Sequence, residues 1–136
     1  MAALDHVGLL VTDLDRSIGF YQSMFAFELE DRRFFGDRVV EAAMFRVGPD
    51  SVIFLLSDPV SEPIAASIRG RPEHFCLLFE PAEFEQVLAR LEGAGVFDRL
   101  DCEFRPRTGA QGRTNSKYVL DPDNNIIEVK VRTDSP

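Results

Sequence analysis

Residues 118–131, YVLDPDNNIIEVKV, set two apolar runs on either side of a turn rich in Pro, Asp and Asn. That is hairpin chemistry. Successive side chains on a strand point to opposite faces, so Ile127, Val129 and Val131 share an apolar face. Ile126, Glu128 and Lys130 share the other, which looks either at water or at a site. Near the start of the chain, residues 4–12 alternate in the same way. Val7, Leu9 and Val11 lie on one face, and His6, Gly8 and Leu10 on the other. Asp13 is a helix N-cap candidate. After it, Leu14, Ile18, Tyr21 and Phe25 recur on one helical face. Strand-like segments follow at 27–34, 38–47 and 51–57, with GPDS at 48–51 as a turn. This order predicts a βαβββ unit.

The second half repeats it. In residues 73–80, Phe75, Leu77 and Phe79 alternate with His74, Cys76 and Leu78. Pro81 suits a first helical turn. Phe84, Val87, Leu88 and Leu91 form the buried stripe, and Gly93 or Gly95 ends the helix. Strands are expected near 101–105, 114–121 and 125–132. The halves match residue against residue. His6 lies over His74, Pro49 over Pro122 and Phe45 over Tyr118. With one extra residue in the second turn, Phe54 lies over Glu128. An internal repeat of this kind speaks directly to architecture. It predicts an α+β chain with module one at about 4–57, a connector at 58–71 and module two at about 72–132.

Composition narrows the partners. The 136 residues carry a formal net charge of −8, which argues against nucleic acid or an anionic membrane as the main partner. No apolar run reaches the roughly 20 residues of a membrane helix. The N-terminal MAALDHVGLL lacks a basic leader segment. Cys76 and Cys102 form no CxxC pair, and a cytoplasmic protein with reduced thiols is expected.

His6 and His74 are the only histidines, and they occupy related positions near the starts of the two first strands. Glu128 stands on a last strand. Two imidazoles and one carboxylate match a facial triad, which leaves coordination positions open for substrate, water or O₂. A divalent cation would also compensate a carboxylate that faces a cavity.

The motifs DHVGLLVTDLDRSIGFYQSMF, EHFCLLF and YVLDPDNNIIEV resemble those of the vicinal oxygen chelate superfamily, which includes glyoxalase I, extradiol dioxygenases, fosfomycin-resistance enzymes and bleomycin-resistance proteins. The resemblance spans about 4–132. It implies two βαβββ modules whose curved mixed sheets surround a metal cavity, with helices outside. It also implies metal ligands at His6, His74 and Glu128. The family's fourth ligand position falls on Phe54, which cannot ligate, so the site is expected to be of the open three-ligand kind. Tyr118 resembles a tyrosine that extradiol dioxygenases place beside the substrate, and it is the catalytic candidate. Those enzymes generally carry a further acid–base histidine, which this chain lacks, leaving Tyr118 or Lys117 for that role.

The remaining pocket candidates are apolar and basic. Phe45, Phe54, Leu10, Leu78 and Ile126 are either plain core or an apolar lining suited to a partly hydrophobic substrate. In the segment 98–113, Arg99, Arg105, Arg107 and Arg113 read as solvated surface. Their sharper reading is a cavity edge that holds an anionic group. Cys76 reads as a buried, inert thiol. The expectation is a metal-dependent enzyme, dioxygenase-like, using Fe or Mn, with Zn or Ni as further candidates. It would act on a small, oxygen-rich substrate. Isomerase or lyase chemistry, fosfomycin-type transfer, or non-catalytic drug binding of the bleomycin-resistance kind are the alternatives. A homodimer is expected from the resemblance and from the need to cover open sheet edges.

Overall fold

The computed structural model describes residues 2–35, 40–57, 74–97 and 103–133. The chain divides into two compact units, Met1–Ala66 and Ser67–Pro136. The expected connector at 58–71 lies outside the described residues, as do Arg99 and Cys102. Among the described residues no helix is long and apolar enough to cross a membrane.

The first unit contains β1 (His6–Val11), α1 (Leu14–Phe25), β2 (Glu28–Phe35), β3 (Val40–Gly48) and β4 (Ser51–Ser57). Its sheet runs β1-β4-β3-β2. β1 is parallel to β4, and the other pairs are antiparallel. The Asp13 carboxylate caps α1 by accepting from the Arg16 amide at 3.0 Å. The helix ends at Ala26, which takes the left-handed conformation with φ 55°. The buried stripe is the one the periodicity predicts: Leu14, Ile18, Tyr21 and Phe25. It packs on Leu9, Val11, Phe45, Ile53 and Leu55, all buried, with the Tyr21 and Phe45 rings 6.2 Å apart. Burying side chains of this size is worth about 1.5–3 kcal/mol each, which anchors the helix to one sheet face.

The second unit repeats the plan with β5 (Phe75–Phe79), α2 (Pro81–Ala94), β6 (Arg105–Gly109), β7 (Gly112–Leu120) and β8 (Ile126–Val131). Its order, β5-β8-β7-β6, is that of the first sheet. β5 is parallel to β8, as β1 is to β4. Pro81 opens α2, and Gly95 closes it at φ 64°. Val87 and Leu91 from α2, with Val119, Ile127 and Val129, are completely buried. The two four-stranded mixed sheets with one helix each are the α+β, twice-βαβββ architecture that the repeat predicts.

Two local expectations need correction. The strand expected at 101–105 is β6, which starts at Arg105 and carries Arg107. It forms a hairpin with β7 that turns between Gly109 and Gly112. The matching of Phe45 to Tyr118 is also displaced by one residue. Met44 pairs with Phe54 as Tyr118 pairs with Glu128, so Met44 is the counterpart of the tyrosine. The prolines of the two turns had suggested otherwise, but β3 carries a register irregularity between Arg46 and Gly48 that the β7–β8 ladder lacks.

Candidate metal centre

The turn before β8 is built on one side chain. Asp121 is buried, and its Oδ1 accepts from the amides of Asp123 and Asn125 at 2.9 Å each. Its Oδ2 accepts from the Asn125 side-chain amide at 2.9 Å. Asn124 takes φ 63° within this loop, a conformation that asparagine tolerates better than most residues. The turn fixes the register Leu120↔Ile126, and that register sets which β8 side chains face away from α2.

Ile127 and Val129 enter the core under α2, so Glu128 and Lys130 point to the opposite face. Both are nonetheless buried, at 4% and 5% exposure, so this face of the strand is not simply a wet one. Glu128 pairs across the sheet with Cys76 on β5 and Tyr118 on β7. His74, just before β5, brings Nε2 to 3.1 Å from Glu128 Oε2. The other carboxylate oxygen, Oε1, is buried and accepts no hydrogen bond. Lys130 Nζ stands 3.8 Å from it and donates instead to the Arg107 carbonyl at 2.7 Å.

Tyr118 completes the cluster. Its ring lies 5.3 Å from that of His74 and carries the Arg107 guanidinium 4.2 Å above its centre. Arg107 Nη1 donates to the Ser116 carbonyl at 2.6 Å and to the Ser116 hydroxyl at 3.1 Å. Cys76 is exposed on one side, not buried as expected. Packing on its other sides, and then the Glu128 charge, push its thiol up to about 12. It is therefore a protonated neighbour of the site at neutral pH.

In the first unit, His6 lies on the β1 face that carries Gly8 and Leu10. Its ring meets the edge of Phe54 at 5.4 Å, and its Nδ1 is 2.6 Å from Asp5 Oδ2. Phe54 pairs with Gly8 as Glu128 pairs with Cys76, so the phenyl ring does occupy the position equivalent to the carboxylate. Leu10 and Leu78 sit on the same faces as the two histidines, and both are exposed.

Three pocket candidates do not join these faces. Phe45 is completely buried against Tyr21, on the helix side of its sheet. Lys117 also faces the helix side, with its ammonium 3.7 Å from the centre of the Phe97 ring. Arg113 is exposed and has the strand parity of Lys117, not of Tyr118. Sequence reasoning placed Lys130 on the face of Glu128 but gave it no role, and it passed over Ser116. The signal was available, since both have the parity of Glu128 and Tyr118.

Among the described residues no group of three or more His, Cys, Asp or Glu side chains gathers as a metal site. His74 and Glu128 do offer a neighbouring nitrogen and oxygen, and the second oxygen, Oε1, is buried without a hydrogen-bond donor. These residues fit two of the ligands that a divalent cation requires.

A protein of Bacillus subtilis (strain 168), the uncharacterized protein YwbC, is 32% identical over 97 residues, covering 70% of this chain and 75% of its own. A crystal structure of a glyoxylase/bleomycin resistance protein/dioxygenase domain from Frankia sp. EAN1pec superimposes with a TM-score of 0.74 at 20% identity, covering 98% and 99% of the two chains. A variant of the fosfomycin resistance protein FosX from Listeria monocytogenes, complexed with Mn(II) and a dihydroxypropylphosphonic acid, gives 0.64 at 23%, covering 98% and 94%. A family profile matches residues 3–129, and the chain belongs to the Glyoxalase/Bleomycin resistance protein/Dioxygenase superfamily.

Proposed function

We propose that this protein is a metal-dependent enzyme in which His6, His74 and Glu128 hold one divalent cation. The observation that carries the reading is the close approach of His74 Nε2 to Glu128 Oε2, beside a buried and unsatisfied Oε1. When bound, the cation would supply Lewis acidity to two neighbouring oxygens of a small substrate and, as Fe(II) or Mn(II), would support dioxygenase-like chemistry. Phe54 at the fourth position leaves coordination open, which favours that reaction class over one needing four protein ligands.

The chain's own groups have distinct tasks in this reading. Tyr118 lies beside His74 and Glu128 and is the acid–base candidate. The Arg107 guanidinium over its ring and the His74 ring at its edge hold the tyrosine in place beside Glu128. Leu10, Leu78 and Phe54 give the histidine-bearing faces an apolar side suited to a hydrophobic substrate part. The enzyme acts as a homodimer in the cytoplasm in this account. The homodimer rests on the family and on the sheet edges, and the location on the cysteine usage.

The test uses Glu128→Gln, which keeps volume and removes charge. Metal content after purification without chelator should fall, and turnover on any substrate found in an aerobic panel should drop by about 10–100-fold or more. Ligand affinity of the wild type should weaken when metal is removed by a chelator. An identical dissociation constant with and without chelator would instead indicate a drug-binding protein.

A further inference from the structure

Lys130 is a buried cation for which the proposed chemistry has no task. Its side chain is 6% exposed, and a buried ammonium without compensation is costly. Its hydrogen bond goes to the Arg107 carbonyl, which holds the nitrogen at 2.7 Å. Gly109 leaves room for this arrangement, because a Cβ there would lie 3.0 Å from Nζ. The ammonium is thus held by the β6 backbone at 3.8 Å from Glu128 Oε1, close enough for charge pairing and beyond hydrogen-bond reach. The groups facing Glu128 are then His74 at Oε2, Lys130 at Oε1, and Cys76 and Tyr118 on the flanking strands.

We propose that Lys130 is the resident counter-cation of Glu128: its ammonium, held by the Arg107 carbonyl, compensates the buried carboxylate in the metal-free protein, and an entering metal ion must bind against its charge. This rests on the reading of Glu128 as a metal ligand. The two parts follow from one fixed charge. With the site empty, the ammonium offsets the desolvation cost of the carboxylate. With the site filled, it repels the cation through the same carboxylate, in surroundings where charges are poorly screened. Lys130 is therefore a positioning residue that lowers metal affinity while preserving the empty site.

Two measurements on the full-length protein decide this. In the metal-free state, Lys130→Met should lower the Tm, and adding Glu128→Gln should raise it again, because the carboxylate left alone is then gone. Additive effects of the two substitutions would overturn the pairing. In a calorimetric titration with Mn(II), Lys130→Met should bind more tightly than wild type by about tenfold or more. Equal or weaker binding would overturn the opposing role. If Lys130→Met does not fold, Lys130→Gln carries the same two expectations. A wild type without Glu128-dependent Mn(II) binding would remove the metal reading itself, while the metal-free pair of variants would still decide whether Lys130 serves Glu128.

Discussion

At the scale of single residues, the contrast between Phe54 and Glu128 is the most informative. They hold equivalent positions in two copies of one plan, Phe54 opposite Gly8 and Glu128 opposite Cys76. One is apolar and stacks its edge on His6; the other is a buried carboxylate against His74. Phe54→Glu would give the first unit the carboxylate it lacks. Mn(II) and Ni(II) affinity should rise in titration calorimetry, and turnover should fall because an open coordination position is filled. Unchanged affinity for both metals would leave Phe54 as packing alone. Strand alternation made Glu128 and Lys130 legible as neighbours on one face. It also argued against placing Lys117 and Tyr118 in one pocket, since adjacent strand residues face opposite ways. That Lys117 is held over Phe97 was not legible, because the contact depends on where a distant segment lies.

At the scale of elements, turns and ladders decide which side chains reach the site. Asp121 organises the β7–β8 connection through three hydrogen bonds. Asp121→Ala should lower stability by about 2–3 kcal/mol, because buried amides lose a charged acceptor. Chemical denaturation measures it, and a change below about 0.5 kcal/mol would mean the turn holds without its template. In the other sheet, Arg46 on β3 grips Glu30 on β2 through Nε at 2.8 Å and Nη2 at 3.0 Å. The hydrogen bond from Arg46 holds the Glu30 carboxyl below its usual range. A depressed carboxyl contributes stability above its unfolded value, and loses it as pH falls through the folded one. The Tm advantage of wild type over Glu30→Gln should therefore be present at neutral pH and vanish in acid. An advantage that is constant with pH would contradict the pairing. The elements themselves were largely legible from periodicity, including the Asp13 cap and the α1 stripe. The equivalence of Met44 to Tyr118 was not. Matching turn residues suggested Phe45, whereas hydrogen-bond register decides the pairing, and an irregularity after Arg46 is invisible in composition.

At the scale of the whole molecule, the repeat carries the account. Two units with the same strand order each carry a histidine in the first-strand region, and only the second has a carboxylate, Glu128, where the first has Phe54. The repeat was legible because alternation, helix stripe and turn chemistry recur in the same order, and these local signals agree with one another. The chemistry was legible only in part. Residue types pointed to a triad, but the buried ammonium beside Glu128 emerges from β6 packing across β7 and β8. The central proposal is that His6 and the His74–Glu128 pair serve one cation, although the histidines stand 68 positions apart in the chain. Titration of Mn(II) into His6→Asn tests it most directly. The account predicts a loss of affinity similar to that in His74→Asn, about 10-fold or more, with the fold retained; a His6→Asn protein that binds Mn(II) as tightly as wild type would contradict it.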